Sequence, residues 1–260
     1  MLKIGLCLSG GAARGVAHLG VLKALKELEV PIEVISGVSS GAIVAAFVAA
    51  GFTPDEVLQL VVDLPLPRLF RPALNKGLLR SQSLQNIFQE HLGDKTFEDL
   101  PIKIIISATD LLQGTTTYFR EGSLVSALLA SSSVPILYQP YAHDHKLLVD
   151  GGLLNNLPVE CLTGECDKII GVHVNPLNYK AEIKTIRQVS ERIFHLAINA
   201  NAQTRVGLCD LYIEPPRLKD YQITEISKAR EIFEIGYEYT HSLAQEIKAF
   251  RIDEARESDK

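Results

Sequence analysis

The sequence predicts an α/β protein with three layers, α/β/α, around a central and mainly parallel sheet. Short β-branched segments alternate with stretches at helical spacing, which is the pattern of a sheet covered by helices on both faces. The 260 residues are 47% hydrophobic and 22% charged, enough for a substantial core in one large domain. Residues 1–250 show no repeat, low-complexity segment or linker, so we predict a single domain there and a charged tail at 251–260.

Apolar, β-branched segments of strand length predict six strands, and residues 115–119 predict an added edge strand. The six strands are predicted at residues 4–8, 34–36, 103–109, 147–149, 168–174 and 211–213. Helices are predicted near residues 16–28, 42–51, 84–91, 124–131, 189–204 and 228–250. The last of these carries an apolar face at helical spacing, so we expect it to pack on the core.

Ser39 is the most informative residue for function, because Gly37-Val38-Ser39-Ser40-Gly41 lies between a predicted strand and a predicted helix. A serine on such a corner is exposed at the top of a sheet, and the flanking glycines allow the tight turn. The N-terminus of the following helix favours developing negative charge. This context indicates a nucleophile, although the G-x-S-x-G pattern alone is weak.

A glycine-rich loop, residues 9–15, follows the first predicted strand and precedes a helix. Its small residues leave backbone N–H groups uncovered, so it can bind an oxyanion. The alternative is a tight strand-to-helix turn without chemistry. A third interpretation is a dinucleotide loop, with Gly10, Ala12 and Gly15 at the G-x-G-x-x-G positions, but the second strand ends in Ser39 instead of a ribose-binding acid.

Asp150 stands at the end of an apolar predicted strand and is followed by Gly151 and Gly152. The two glycines allow another group to approach the carboxylate closely. Burial raises the pKa of an aspartate above about 3.9, which makes it a better base near neutral pH. An ordinary Asp-Gly-Gly turn is the alternative.

Together, the segments 10–15, 37–41 and 150–152 resemble the motifs of the patatin-like phospholipases, in that family's order. Residues 130–135 with 138–140 resemble bacterial members, as do residues 213–216 and 234–238. The resemblance covers nearly the whole chain and indicates a small bacterial-type member. One position departs from the family: the loop usually has a third glycine where this chain has Ala12, which would be strained by roughly 1 kcal/mol or more at a positive φ.

The resemblance implies a serine acyl hydrolase that cleaves lipid esters such as phospholipids or lysophospholipids without a metal or organic cofactor. It implies that Ser39 attacks the ester carbonyl and that Asp150 takes its proton, as a dyad. The oxyanion hole would comprise Gly10, Gly11, Ala12 and Arg14, and the other motif glycines are Gly15, Gly37, Gly41, Gly151 and Gly152. Arg14 would stabilise the loop or attract an anionic head group. A non-catalytic regulatory protein that binds acyl groups or a protein partner, and an acyltransferase, are the alternatives on the same fold.

The seven histidines offer competing chemistry. An α/β-hydrolase triad would recruit His173, His195 or His241, but Ser39 follows only the second predicted strand, earlier than in that fold. His143 and His145 could ligate a metal, but the segment is a polar turn with no third ligand nearby in sequence. We therefore favour the dyad and expect no metal site.

Composition limits the partners. A net charge of −5 argues against a general nucleic-acid binder, and no apolar run approaches the ~20 residues that span a bilayer. The first residues lack the pattern of a removable signal peptide. Cysteines 7, 161, 166 and 209 show neither metal spacing nor a disulfide framework, so we expect reduced thiols and a cytoplasmic protein.

Residues 64–80 form a basic and apolar segment with three prolines and no acidic residue. We hypothesise that this segment is a mobile flap over the acyl site, or a point of peripheral contact with an anionic lipid surface. A proline-rich connection held against the core is the alternative.

Overall fold

A computed structural model describes residues 2–64, 81–135, 137–179, 183 and 185–252. Its strands are β1 (Ile4–Leu8), β2 (Ile32–Val38), β3 (Lys103–Asp110), β4 (Thr115–Phe119), β5 (Tyr141–His143), β6 (Lys146–Asp150), β7 (Lys168–Val172) and β8 (Leu211–Ile213). They form one sheet in the order β5-β6-β3-β2-β1-β7-β8, with β4 paired to β3. The pairs among β1, β2, β3, β7 and β8 are parallel, whereas β4, β5 and β6 join in antiparallel pairs.

The helices surround this sheet. They are α1 (Ala17–Glu27), α2 (Ser40–Ala49), α3 (Pro54–Asp63), α4 (Gln82–Leu92), α5 (Leu124–Ser131), α6 (Ile186–Gln203), α7 (Ala229–Ser242) and α8 (Ala244–Ile252). Local signals explain several ends. Thr53 and Glu56 form a capping box at the start of α3, and Gly51, with φ 103°, follows the end of α2. No helix in the described ranges is both long and apolar enough to cross a membrane.

Alternate residues of the central strands enter two separate cores, one on each face of the sheet. On β3, Ile104 and Ile106 belong to the larger core, and Ile105 belongs to the smaller one. Helices α1, α2, α5 and α7 contribute to the larger core, while Ala202 of α6 helps to cover the opposite face. Both faces are thus covered, and the predicted α/β/α fold is confirmed.

The predicted elements differ from the structure in several details, and helix α3 was not predicted. The helix predicted at 228–250 is divided into α7 and α8 at Leu243. The strand β5 was not predicted, because its three residues fall in what the sequence indicates as a polar turn. That turn is tight: Asp144 and His145 both have positive φ between β5 and β6. Strand β6, which carries Asp150, runs antiparallel to β3, within a sheet that was predicted to be mainly parallel.

Two segments singled out in the sequence lie partly outside the described residues. The basic segment at 64–80 is described only at Leu64, so the flap hypothesis is not tested. Of the tail predicted at 251–260, only Arg251 and Ile252 are described, and both belong to α8. The Arg251 Nη1 donates to the Leu28 carbonyl at 2.6 Å, which ties the start of this tail to the domain.

Candidate active site

Ser39 occupies the corner between β2 and α2 in a conformation that is rare for a residue with a side chain. Its φ is 54° and its ψ is −124°, and the residue is 8% exposed. Its backbone N–H donates to Ser131 Oγ at 2.8 Å, and Ser131 Oγ donates in turn to the Ser107 carbonyl at 2.7 Å. The strained backbone is therefore held by a buried polar chain to α5 and β3.

Strand pairing brings Asp150 next to Ser39. Strand β4 lies along one edge of β3. The strands β2 and β6 therefore both pair with the other edge of β3, one after the other along its length. Val38 is the last β2 residue paired there, opposite Ser107, and Asp150 is paired with the next residue, Ala108. Ser39, which follows Val38, therefore lies next to Asp150 at the end of β6, although Ser39 and Asp150 are 111 positions apart in sequence.

The Asp150 carboxyl group is buried, at 3% exposure, and its environment favours its neutral form. Burial raises the pKa of Asp150 to about 6, against the opposing effects of the nearby Ser39 side chain and of the Gly152 N–H, which both favour the charged form. The Gly152 N–H reaches Asp150 Oδ1 at 2.8 Å. A carboxylate that lies beside a serine and titrates near pH 6 can accept the serine proton at neutral pH.

The glycine-rich loop presents backbone donors beside this pair. The N–H of Ala13 bonds to the Ile223 carbonyl and that of Arg14 to the Gly11 carbonyl, both at 3.0 Å. Within the described ranges, the N–H groups of Gly11 and Ala12 have no such acceptor. Two adjacent backbone donors at the start of a 3₁₀ helix are suited to bind a developing oxyanion.

Ala12 has a φ of 48°, so the residue that departs from the family pattern does occupy a left-handed conformation. We expect Ala12→Gly to remove strain of roughly 1 kcal/mol, offset in part by the greater chain entropy of glycine. The melting temperature should rise by up to about 3 °C. Ala13→Gly, one residue later in the 3₁₀ helix, is the matched control and should lower the melting temperature; equal losses in both variants would contradict a strained Ala12.

Arg14 is buried and bonded to protein groups. Its Nε donates to the Tyr221 carbonyl at 2.8 Å, and its Nη1 lies 3.3 Å from His195 Nε2 on α6. Burial lowers the pKa of Arg14 to about 10, so the guanidinium stays charged at neutral pH. These contacts favour the loop-stabilising role among the two that the resemblance implies.

The motif glycines are sites of close approach. A Cβ on any of them would lie 2.8 Å or less from another atom of the chain. A side chain there would therefore have to displace neighbouring backbone or packed side-chain atoms. On Gly151 it would meet the Ser107 carbonyl, and on Gly41 the carbonyls of Leu8 and Ser9. The complete set is Gly10, Gly11, Gly15, Gly37, Gly41, Gly151 and Gly152. These contacts pack the three motif loops against one another.

Polar residues that the sequence did not single out support the site. Ser131 binds the Ser39 N–H, and Asn175 Nδ2 donates to the Gly10 carbonyl. Asn156 is 1% exposed and its Oδ1 is the nearest atom to a Cβ built on Gly10 or on Gly152, 2.7 Å in each case. The two asparagines just after the Asp150-Gly151-Gly152 turn were the sequence feature that could have indicated Asn156, but a single sequence does not separate buried asparagines from ordinary turn residues.

We expect Ser131→Ala to reduce catalysis without unfolding the protein. The change leaves the buried Ser39 N–H without its acceptor, a cost of about 1–3 kcal/mol that falls on the corner carrying the hydroxyl. Steady-state kinetics should show a lower kcat, by about tenfold or more. Ser132→Ala is the matched control, because among the described residues the buried Ser132 Oγ has no hydrogen-bond partner; a similar kcat in both variants would show that Ser131 does not support catalysis.

The three histidines of the triad alternative bind other groups. His173 Nδ1 lies 2.7 Å from Glu214 Oε1, His195 Nε2 3.3 Å from Arg14 Nη1, and His241 Nε2 2.9 Å from Glu27 Oε2. Burial lowers the pKa of His195 to about 4, so it is neutral beside Arg14. Among the residues that the structure describes, no cluster of three or more histidine, cysteine, aspartate or glutamate side chains could hold a metal ion.

The comparisons with known proteins agree with this architecture. Residues 6–162 match the family model described as patatin-like phospholipase. An uncharacterized NTE family protein of Mycobacterium tuberculosis is 36% identical over 178 residues, covering 66% of this chain and 49% of that protein. Lysophospholipase NTE1 of Kluyveromyces lactis is 25% identical over 289 residues, covering 94% of this chain and 19% of that protein. The chain spans about half the length, or less, of these relatives.

Two solved structures share the fold. VipD from Legionella pneumophila aligns with a TM-score of 0.60 at 14% identity, over 94% of this chain and 67% of that one. The type III effector protein ExoU of Pseudomonas aeruginosa aligns with a TM-score of 0.50 at 15% identity, over 94% of this chain and 53% of that one. With the family match over more than half of its length, the chain belongs to the patatin-like phospholipase family.

Proposed function

We propose that this protein is a lipid acyl hydrolase in which Ser39 and Asp150 act as a catalytic dyad. The observation that carries the proposal is that strand pairing sets the Ser39 corner beside the buried Asp150 carboxyl group, whose pKa burial raises to about 6. The family supports lipid hydrolysis in general terms. The dyad and the type of ester bond are the finer parts of the proposal.

In the acylation step, Ser39 Oγ forms a bond to the carbonyl carbon of the ester while Asp150 accepts the hydroxyl proton. The carbonyl oxygen becomes an oxyanion, and the N–H groups of Gly11 and Ala12 stabilise it. Its negative charge also lies near the N-terminus of α2. The tetrahedral intermediate then expels the alcohol, which takes the proton from Asp150, and the acyl group remains on Ser39.

In the deacylation step, water attacks the acyl-enzyme and gives its proton to Asp150. Collapse of the second intermediate releases the fatty acid, and the proton returns to Ser39 Oγ. Every atom of the products comes from the ester and one water molecule. The described side chains at the site therefore suffice for the mechanism that we propose.

The proposed substrate class is phospholipid or lysophospholipid esters. Two of the relatives are named lysophospholipases, from Kluyveromyces lactis and Aspergillus fumigatus, each about 25% identical to this chain over nearly its whole length. A single-chain lipid exposes its ester more readily than a lipid in a bilayer, so we expect a lysophospholipid to be cleaved faster than the corresponding diacyl lipid.

The proposed function is tested by incubating the purified protein with p-nitrophenyl esters of graded chain length, lysophosphatidylcholine and phosphatidylcholine, and quantifying the released acids and alcohols. The Ser39→Ala variant is the background control. We expect release of fatty acid in stoichiometric amounts with the alcohol. Transfer of the acyl group to an added alcohol in preference to water would instead assign an acyltransferase, and no turnover of any ester by folded protein would contradict the proposal.

A further inference from the structure

Helix α6 exposes an apolar stripe along its length. Ile186, Val189, Ile193 and Leu196 are 83%, 38%, 62% and 44% exposed. Their spacing of three and four residues places them on one face of the helix, and the exposed Ala197 and Ala200 continue the same face. A surface helix of a globular protein normally turns such a stripe towards the core, so this one is reversed.

The other side of α6 is bonded to the loops of the candidate active site. His195 contacts Arg14, and Asn199 Nδ2 donates to the Asn175 carbonyl at 3.2 Å. Asn201 Nδ2 donates to the Gly152 carbonyl at 3.0 Å. The helix therefore has one face that holds the glycine-rich loop and the Asp150 turn, and another that is apolar and open to solvent.

The charge of the sequence around the start of α6 and the small area of the apolar stripe indicate what the stripe contacts. Residues 180–192 contain four basic residues, Lys180, Lys184, Arg187 and Arg192, against two acidic ones, whereas the whole chain has a net charge of −5. In sequence, this excess of positive charge coincides with the start of the apolar helix, and a basic amphipathic segment complements an anionic lipid surface. A single-helix stripe is also small beside the roughly 800 Å² per partner of a standard protein interface, which argues against a second copy of the chain.

We propose that the apolar stripe of α6 docks the protein on an anionic lipid surface and brings the acyl site to its substrate. This inference rests on the proposed function, because a lipid substrate is what gives docking its purpose. The apolar side chains enter the boundary between head groups and acyl chains, and the excess of basic residues in the sequence of 180–192 favours anionic head groups. The bonds of α6 to the site loops keep the Ser39 corner next to that surface.

The test is vesicle co-sedimentation and vesicle hydrolysis with an Ile193→Ser/Leu196→Ser double variant. Vesicles contain phosphatidylcholine with or without phosphatidylglycerol, and a short-chain p-nitrophenyl ester reports on the site itself. Leu208→Ser is the matched control, because Leu208 is 52% exposed but lies outside α6. Binding is measured in the Ser39→Ala background as well, so that it does not depend on catalysis.

We expect the double variant to lose vesicle affinity by at least about tenfold and to hydrolyse vesicle lipid correspondingly more slowly, with unchanged hydrolysis of the soluble ester. The control should bind normally, and phosphatidylglycerol should strengthen binding of the wild type. Equal vesicle binding by the double variant and the wild type would overturn the proposal. So would a wild-type dimer in analytical ultracentrifugation that the double variant abolishes. If no ester is cleaved by the wild type, the proposed function fails, while the binding data still decide the docking role.

A second, independent observation concerns Asn156. Its side chain is buried between the glycine-rich loop and the Gly151-Gly152 turn, and a Cβ on Gly10 would lie 2.7 Å from its Oδ1 and 3.1 Å from Ser39 Cβ. Its Nδ2 is buried with no hydrogen-bond partner among the described residues. A buried amide donor without an acceptor costs free energy, so its presence beside the nucleophile needs a reason.

The geometry assigns Asn156 as a further catalytic residue, whose Nδ2 donates a hydrogen bond to an oxygen of the bound acyl group. The backbone of Asn156 is held separately, by donation of its N–H to Asn201 Oδ1 at 2.7 Å, so a side-chain change need not move the chain. The donor then complements the N–H groups of Gly11 and Ala12, and finds its acceptor only when substrate is bound. Like the docking role, this assignment rests on the proposed function.

Asn156→Ala and Asn156→Asp test the assignment in steady-state kinetics with a soluble ester. We expect Asn156→Ala to lower kcat by about 10- to 100-fold with little change in KM, and to slow labelling by a fluorophosphonate by a similar factor. Asn156→Asp should also shift the acid limb of the pH–rate profile upward, since a second carboxylate lies near Asp150. A folded Asn156→Ala variant with the wild-type kcat would overturn the assignment.

Discussion

Replacing Ser39 with alanine is expected to reduce kcat for ester hydrolysis by on the order of 10³-fold or more, because the attacking oxygen is removed. The fold should remain intact, since the Ser39 N–H keeps its bond to Ser131 Oγ. Alanine at φ 54° keeps the strained corner, so thermal stability should be close to that of the wild type. Release of p-nitrophenol and a thermal melt measure the two effects.

Ser40→Ala is the matched control for this loss. Ser40 is the next residue and the first of α2, and within the described part of the chain its buried Oγ has no hydrogen-bond partner. We expect activity within about twofold of the wild type. If Ser40→Ala abolished hydrolysis and Ser39→Ala did not, the nucleophile would be misassigned, and the position of Ser39 beside Asp150 would have only a structural role.

Replacing Asp150 with asparagine is expected to cost on the order of 10²- to 10⁴-fold in kcat, since the base that accepts the Ser39 proton is lost. The wild-type kcat/KM should rise with pH and become half-maximal near pH 6, where the Asp150 carboxyl group titrates. The variant should lack this limb. A flat wild-type profile between pH 5 and pH 8 would be inconsistent with Asp150 as the base.

Asp150→Asn, which is expected to lower kcat, is expected to raise the stability of the fold at neutral and alkaline pH. The pKa of Asp150 is about 6 in the folded protein and 3.8 in its ordinary state, so the folded protein binds the proton more tightly. Its contribution to stability is therefore lost as the pH rises from about 4 through 6. At pH 8, Asp150→Asn should be more stable than the wild type by up to about 3 kcal/mol in denaturant titrations, and the gain should shrink below pH 4. A variant destabilised equally at both pH values would show that burial of the charge is not the cause.

Much of the fold was predictable from the sequence, because local patterns determine it. The bounds predicted for β1, β4, α5 and β8 agree with the structure, since each is a continuous apolar or β-branched segment between turn signals. The division between α7 and α8 was not predictable, because the apolar face continues through Leu243 without a glycine or proline to mark the break. Where β6 joins the sheet depends on long-range pairing that no local pattern encodes.

In the candidate site, too, features that depend on local sequence were predictable, and features that depend on long-range contacts were not. Ser39, Asp150 and the glycine-rich loop were predictable because each needs a particular residue at a corner or a turn. Ser131, Asn156 and His195 were not, because their roles come from contacts between elements far apart in sequence. The sequence predicted strain at Ala12 only if its φ were positive. The positive φ itself was not predictable, because the backbone angle depends on how the loop packs.

In the proposed mechanism Ser39 carries the acyl group, and covalent labelling of the nucleophile is the most direct measurement of this role. A fluorophosphonate loses fluoride as its phosphorus bonds to the attacking oxygen, and the modified peptide is identified by mass spectrometry. We expect one label per chain, on Ser39, at a rate that falls as Asp150 is protonated below pH 6. Labelling at any other residue, or no labelling of folded protein that still hydrolyses esters, would contradict the assignment of Ser39 as the nucleophile.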